Sequence, residues 1–130
     1  MRQSENEELM QLTRQLLNSI VERAWETYER LSDAAMTAFE PEAGGQMIVG
    51  LPFHRFYFDS PQSGRRQSTI CSPQIRVMGD VAVVAYVRLD QCIKDDGVAH
   101  TQSFLETRVW QKQDSAWKQV HFHRSDAGRT

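Results

Sequence analysis

Apolar residues recur every three or four positions over the first thirty residues, a spacing that places them on one face of an α-helix. Ser4 followed by Glu7 forms a capping box, in which the hydroxyl and the carboxylate satisfy free amide groups of the first turn. The pattern therefore predicts one continuous amphipathic helix of ~26 residues, long enough to cross a small sheet. Its apolar stripe consists of Leu9, Leu12, Leu16, Ile20, Ala24 and Leu31.

The second half of the chain follows the alternating pattern of β-strands. Branched and aromatic residues alternate with polar ones in four segments, and short turn sequences rich in Asp, Gly and Ser separate these segments. Because the connections are short enough for hairpins, the segments predict an antiparallel meander. The predicted strands cover approximately residues 68–78, 80–93, 98–112 and 115–125.

The region between the helix and the meander is less regular. Residues 36–39 predict a short strand, and the composition of residues 60–67 predicts a loop. The aromatic segment 51–59 predicts a short helix that begins near Pro52, since proline is favoured in the first turn of a helix. The sequence therefore predicts one α+β domain over residues 1–130, with the long helix laid across a curved antiparallel sheet.

The second predicted strand of the meander is apolar on both of its faces. A single helix can cover only one face, and leaving four large side chains of the other face in water would forfeit ~6–12 kcal/mol at ~1.5–3 kcal/mol each. We therefore expect a second copy of the same sheet to cover this face, which makes the protein a homo-oligomer. The alternative is that segment 51–59 and the chain ends cover it. The expected oligomer interface consists of Val81, Val83, Ala85, Val87 and Leu89.

Composition and charge are those of an ordinary soluble globular domain. The chain is 40% hydrophobic and 25% charged, and its net charge of −2 argues against nucleic acid or an anionic membrane as the main partner. The longest apolar run, residues 81–87, is too short to span a bilayer, and the polar N-terminus carries no secretory signal. Cys71 and Cys92 match no zinc spacing and are expected to be reduced thiols of a cytoplasmic protein.

Arginine accounts for twelve of the fifteen basic residues, and three arginines lie on strands beside aromatic neighbours. Arg88 shares a face with Tyr86, Arg108 with Glu106, and Arg124 with Phe122 and Val120. If these faces coincide, the cavity under the helix contains clustered guanidinium groups, which bind carboxylates in a bidentate manner. The simpler interpretation from spacing alone is an internal salt-bridge network, because buried cations must be paired. Glu106 is the expected partner within the sheet, and the expected partners on the helix are Glu22, Glu26 or Glu29.

The histidines give no metal site on spacing alone. His121 and His123 stand two apart on one strand, but no third ligand lies at a fitting spacing, so no metal and no cofactor are expected. His54 lies between aromatic residues and is expected to be a hydrogen-bonded packing residue rather than a catalytic base.

Four sequence blocks resemble one known family, in the same order and at similar spacing. They are TAFEPEA at 37–43, FHRFYF at 53–58, ETRVW at 106–110 and VHFHRS at 120–125, and AYVRL at 85–89 agrees as well. These blocks resemble the association, or hub, domain of calcium/calmodulin-dependent protein kinase II. The resemblance covers nearly the whole chain.

The resemblance implies a fold, an assembly and a site. The implied fold is the NTF2-like cone, with a long helix in a strongly curved sheet. The implied role is non-catalytic: a hub that assembles into two stacked rings, as a dodecamer, a tetradecamer or a larger particle, and scaffolds kinase subunits. Family arginines bind small hydroxy-carboxylates or receive a linker segment, and by motif they correspond to Arg88, Arg108 and Arg124. His54 matches a pocket histidine. Tyr86 and Glu106 complete the expected pocket.

Two other functions stay open at this stage. A small NTF2-like enzyme, an isomerase or dehydratase, would use Tyr86, His54 or Glu106 as a general base. A stand-alone ligand-binding domain would use the cavity without assembling. The sequence carries no kinase signature, so we do not expect an enzyme, and clustered arginines suit holding an anion better than removing a proton.

Overall fold

The computed structural model describes residues 4–60 and 64–127, and its N-terminal region contains two helices rather than one. Helix α1 spans Glu5–Glu22 and helix α2 spans Trp25–Arg30. The predicted cap is present, since the Glu7 amide donates to the Ser4 hydroxyl at 3.1 Å. The prediction of a continuous helix is wrong because Arg23 adopts the left-handed conformation, with φ of 57°. The amides of Arg23 and Ala24 turn back to the carbonyls of Ile20 and Ser19, which is a Schellman ending.

The predicted meander forms the larger part of one six-stranded sheet, with the spatial order β2-β1-β6-β5-β4-β3. Strands β3 to β6 pair in an antiparallel manner, as predicted, but β1 lies parallel to β6, so the sheet is mixed. Strand β3 begins at Arg65, within the segment predicted as a loop; residues 61–63 of that segment lie outside the described residues. The strands are β1 Ser32–Phe39, β2 Ile48–Val49, β3 Arg65–Met78, β4 Val81–Ile93, β5 Ala99–Gln113 and β6 Ala116–Asp126.

The segment between β1 and β3 contains two short helical pieces. A 3-10 turn covers Pro41–Ala43, and helix α3 covers Pro52–Phe58, where the sequence predicts a helix starting near Pro52. Helix α3 lies on the same side of the sheet as α1 and α2, since Phe58 packs against Trp25 and Tyr28 with ring centroids 5.1 and 4.9 Å apart.

The main core lies between the helices and one face of the sheet, which we call the inner face. On β4 this face carries the even-numbered residues, including fully buried Ala82 and Val84. Leu9 and Leu16 of α1 pack in the same cluster, and both are fully buried. The odd-numbered residues of β4 therefore form part of the opposite, outer face.

Register shifts interrupt the strands and alter which residues share a face, and two of them lie in the antiparallel pairs. In β3 the register shifts between Cys71 and Gln74. In β6 it shifts between His121 and Gln119, so that Val120 is the extra residue. Such bulges bend a strand and increase its twist, which curves the sheet. Parity along β6 is therefore broken: Phe122 shares the inner face with Arg124 as predicted, but Gln119 is fully buried in the position predicted for Val120.

Candidate ligand cavity and association surface

The structure brings the predicted arginines and their partners together on the inner face. Pairing of β4, β5 and β6 sets Tyr86 opposite Glu106 and Glu106 opposite Arg124. Arg88 lies two residues beyond Tyr86 on β4, and Arg108 lies two residues beyond Glu106 on β5. Alternation along β4, β5 and β6 thus places these side chains next to one another on the inner face.

Glu106 is the centre of this cluster, and its side chain is completely buried. Its carboxylate contacts Arg88 Nη1 at 2.9 Å and Arg108 Nη2 at 3.1 Å, and the Tyr86 hydroxyl donates to it at 2.5 Å. One buried carboxylate therefore serves two cations, so the pairing expected for Glu106 is present.

The two buried arginines also have partners besides Glu106. Arg108 Nε donates to the Tyr86 hydroxyl at 2.9 Å, and its guanidinium lies 4.4 Å from the Phe122 ring centroid. Arg88 contacts Asp90 at 3.0 Å and lies 5.0 Å from the Phe104 ring. Stacking on aromatic rings and pairing with carboxylates offset the cost of taking these guanidinium groups out of water.

A second ionic cluster joins β6 to the segment after β1. Arg124 contacts Glu40 at 3.4 Å and also pairs with Glu42. His54 Nε2 lies 2.8 Å from Glu40, which ties helix α3 to the same cluster. Glu40 and Glu42 flank Pro41, whose 3-10 turn aims both carboxylates toward the sheet.

The acidic partners are the site residues that the sequence argument missed. The sequence predicts carboxylates from the helix, but Glu22, Glu26 and Glu29 are exposed. The partners of Arg124 come instead from Glu40 and Glu42, inside the TAFEPEA block that the resemblance had already singled out. The Asp90 partner of Arg88 follows it by two residues on β4, so strand parity alone identifies that pair.

The ionic clusters hold their carboxylates in the charged form. Burial alone raises the pKa of Glu106, but the charges of Arg108 and Arg88 and the Tyr86 hydrogen bond outweigh it, so the pKa lies below its ordinary value. Glu40 behaves in the same way: burial raises its pKa, and the His54 hydrogen bond and nearby cations lower it further than burial raises it.

These shifts disfavour a general base in the cavity. A catalytic base works best with a pKa near the operating pH, whereas Glu106 has a pKa below its ordinary value. Burial raises the pKa of Tyr86, so its hydroxyl stays protonated. Of the three residues considered for an enzyme, His54 is in contact with Glu40, and the other two are bound to each other and to Arg108.

A cavity of about 240 Å³ opens beside these clusters. Five arginines and three glutamates line it, so basic groups outnumber acidic ones. Tyr86 lies behind Glu106 and Arg108 and does not belong to the lining. The remaining predicted pocket residues do belong to it. The lining residues are Ile20, Arg23, Tyr28, Glu40, Glu42, His54, Tyr57, Phe58, Arg66, Arg88, Glu106, Arg108, Phe122 and Arg124.

The outer face of β4 has a different character. Its five predicted interface residues, Val81, Val83, Ala85, Val87 and Leu89, are half-buried in the single chain. Their neighbours extend the apolar surface, because Leu105 lies opposite Val87 and is 48% exposed, and Met78 lies opposite Val81 and is 52% exposed. Helix α3 packs on the inner side, so segment 51–59 does not supply the cover that the alternative required of it.

The two strand histidines also lie toward the outer side. His121 Nδ1 is 2.8 Å from the Thr37 hydroxyl, and burial together with the nearby His123 lowers the His121 pKa. Within residues 4–60 and 64–127, no group of three or more His, Cys, Asp or Glu side chains is placed to hold a metal ion. In the same part of the chain, no helix is both long and apolar enough to cross a membrane.

Comparison with known proteins identifies the family. Residues 5–128 match the calcium/calmodulin dependent protein kinase II association domain. The calcium/calmodulin-dependent protein kinase type II of Caenorhabditis elegans is 43% identical over 123 residues, which are 94% of this chain and 17% of that protein. The chain therefore spans about a sixth of the length of this relative, and it contains no kinase domain.

Solved structures agree with this match. The association domain of the C. elegans kinase superimposes with a TM-score of 0.89 at 43% identity, covering 93% of this chain and 95% of that one. The hub homology domain of Chlamydomonas reinhardtii gives 0.90 at 39% identity, covering 96% and 100%. An NTF2-like protein from Salmonella enterica gives 0.78 at 21% identity, covering 95% and 91%, which shows the fold alone.

These matches confirm the NTF2-like α+β fold that the resemblance implied. Proteins named for association and hub domains also support an oligomerisation role for this chain. The chain therefore belongs to the association-domain family of calcium/calmodulin-dependent protein kinase II, as a non-catalytic domain of the NTF2-like fold.

Proposed function

We propose that this chain is a hub that binds its own copies through the outer face of β4 and closes into a two-ring particle, a dodecamer, a tetradecamer or larger. The observation that carries the proposal is the apolar row Val81, Val83, Ala85, Val87 and Leu89, which the single chain leaves half-buried. Covering this row removes apolar surface from water, at about 25 cal/mol per Å². A second copy supplies a surface of the same shape and character.

Growth beyond a dimer needs a second contact. Two identical faces that meet around a twofold axis form a closed dimer, whereas a ring needs a further interface elsewhere on the subunit. Helix α3 and strand β2 offer exposed apolar side chains for it: Phe56 is 69% exposed, Val49 68% and Tyr57 40%. Two separate apolar surfaces on one subunit support a ring rather than a pair.

The kinase connection comes from the relatives. The C. elegans relative that contains this domain is named as a kinase, and the domain is about a sixth of it. We infer that the particle scaffolds kinase subunits or receives a linker segment from them. Any kinase activity of the assembly would belong to those subunits, not to these 130 residues.

The cavity is proposed to hold a small carboxylate, such as a hydroxy-carboxylate, or an acidic part of a linker. Its excess of arginines over glutamates supports an anion. The Glu42 side chain is 37% exposed and pairs with Arg124, so a ligand carboxylate can take its place without opening the buried Glu106 cluster. At about 240 Å³ the cavity is smaller than the ~300–1,000 Å³ typical of sites for drug-sized molecules.

Native mass spectrometry of the intact protein at micromolar concentration tests the assembly. We expect one symmetric particle whose mass is a multiple of the 15.0 kDa chain, near twelve- or fourteenfold. A spectrum of monomers alone would contradict the proposed hub. The ring size itself is read directly from the mass.

Titration calorimetry with lactate or 3-hydroxybutyrate tests the cavity. We expect binding to the wild type and weaker binding to Arg124→Gln, which keeps a polar side chain but loses the positive charge. Equal heats from both proteins would remove the carboxylate part of the proposal and leave the assembly part standing.

A further inference from the structure

The three arginines expected to bind an anion are already paired inside the chain. Arg88 and Arg108 share Glu106, and Arg124 pairs with Glu40 and Glu42. A ligand anion at these positions has to compete with the protein's own carboxylates. A ligand anion would bind more readily at a cavity cation that no internal carboxylate holds.

Arg66 supplies such a charge. It lies on β3 opposite Cys92 of β4, in line with the inner-face residues, and its side chain lines the same cavity. Within residues 4–60 and 64–127, Arg66 makes no ion pair. It is also exposed, so an anion reaches it from solvent without displacing an internal partner.

Arg23 lines the same cavity from the end of helix α1. It ends helix α1 in the left-handed conformation, at a position where glycine is the usual residue. Its guanidinium donates to the carbonyl of Tyr57. Burial lowers the pKa of Arg23, and the charge of Arg66 lowers it further, because the two cations repel each other. An anion between them would relieve this repulsion.

The mouth of the cavity continues into a wider groove. Arg66, Arg88 and Arg124 line both spaces, together with Glu42. Lys94 also lines the groove, together with Asp90 and Asp126. Arg66 and Arg124 therefore both border the passage from the groove into the cavity.

We propose that Arg23 and Arg66 form an anion subsite at the mouth of the cavity, so that the ligand is a small dicarboxylate with one carboxylate on these two arginines and the other on Arg124 in place of Glu42. This inference rests on the proposed carboxylate-binding role of the cavity. Guanidinium forks at both ends suit a molecule with two carboxylates, because each fork binds a carboxylate in a bidentate manner. The small volume between them limits the spacer to a short chain.

Titration calorimetry at constant ionic strength tests the proposal, with glutarate and butyrate as matched four- to five-carbon probes. The variants are Arg66→Ala, Arg23→Gly and the control Arg65→Ala. Arg65 neighbours Arg66 on β3, carries the same charge and lies on the opposite face. Glycine suits the left-handed position, so the melting temperature of Arg23→Gly should be at least that of the wild type, which separates lost binding from lost folding.

We expect glutarate to bind the wild type at least tenfold more tightly than butyrate, and each cavity variant to lose about tenfold in glutarate affinity while butyrate affinity is unchanged. The Arg65→Ala control should bind as the wild type does. Equal affinity for the two probes, or equal affinity in Arg66→Ala and Arg65→Ala, would overturn the subsite and leave a monocarboxylate cavity in place. If neither probe binds the wild type, the subsite and the carboxylate part of the proposed function fail together, while the assembly result is independent of both.

Discussion

The two faces of strand β4 differ in how they are completed. On the inner face, Tyr86 and Arg88 are buried under the helices and are hydrogen-bonded or ion-paired within their own chain. On the outer face, Val83 and Val87 are apolar and only half-buried. The same thirteen-residue strand thus carries one face that is satisfied by its own subunit and one that is not.

This difference shows where fold stability and assembly arise. Polar groups on the inner face depend on one another, since Glu106 serves both Arg88 and Arg108. Apolar groups on the outer face contribute free energy in proportion to the area removed from water, and a second copy can cover that area. Changes to the inner face should therefore act on unfolding, and changes to the outer face on particle size.

The largest effect is expected at the centre of the inner face. Glu106→Gln keeps the side-chain shape but leaves Arg88 and Arg108 without their shared negative charge, which should lower the free energy of unfolding by about 3–5 kcal/mol. Urea denaturation at one fixed protein concentration measures it, because the stability of an oligomer depends on concentration. Glu42→Gln, at a half-exposed carboxylate, is the control and should cost less than about 1 kcal/mol. Equal losses in the two variants would mean that the buried Glu106 charge contributes no more to the free energy of unfolding than the half-exposed Glu42 charge does.

A charged substitution on the outer face should reduce the size of the particle without unfolding the subunit. Val87→Asp introduces a charge that would be buried between copies, and an unpaired polar group in an interface costs about 2 kcal/mol or more. We expect sedimentation velocity to find smaller species whose circular dichroism spectrum is unchanged. Val98→Asp, at a half-exposed turn position, is the matched control and should leave the particle intact. A wild-type particle in Val87→Asp would place the interface elsewhere.

Acid should loosen the inner face through its carboxylates. Because the pKa values of Glu106 and Glu40 lie below the ordinary 4.5, both groups stabilise the fold above that pH and lose the contribution as the pH falls through their lowered values. The loss is about 1.4 kcal/mol per group for each unit of difference between folded and unfolded pKa. Urea titrations between pH 7 and pH 3 should find stability falling below about pH 4.5, and less steeply in Glu106→Gln. The same slope in both proteins would contradict this assignment.

The smallest effect is expected at the end of α1. Arg23 adopts a left-handed conformation that costs a non-glycine residue about 1 kcal/mol, so Arg23→Gly should raise the free energy of unfolding by about that amount. Denaturation in urea measures the gain. A clear loss of stability would mean that contacts of the Arg23 side chain outweigh the backbone strain.

Most of the sheet follows from local pattern. The four antiparallel strands were predicted within a few residues of their ends, because alternation and hairpin turns are encoded in neighbouring positions. The parallel pairing of β1 with β6 was not predicted, because it joins segments about eighty-five residues apart that no turn connects. The helix break was missed as well, because Arg23 takes a conformation for which glycine is the usual signal.

The site was predictable on the strands and less so outside them. Strand parity placed Arg88 beside Tyr86 and Arg108 beside Glu106, and the register of β4 and β5 brings the two pairs to one face. The bulge at Val120 defeated the same rule on β6, because an extra residue reverses parity beyond it. Arg66 lies in a segment whose composition predicts a loop, so it was not placed at the cavity. It lines the cavity because β3 begins at Arg65, and composition does not determine where a strand begins.

The central claim is that another copy covers the outer face of β4. The most direct measurement is the maleimide labelling rate of Val87→Cys, in a background where Cys71→Ser and Cys92→Ser remove the native thiols. We predict slow labelling at concentrations where the particle is intact and faster labelling on dilution, with Val98→Cys labelled quickly in both conditions. Labelling of Val87→Cys in the intact particle at the rate of Val98→Cys would contradict the claim.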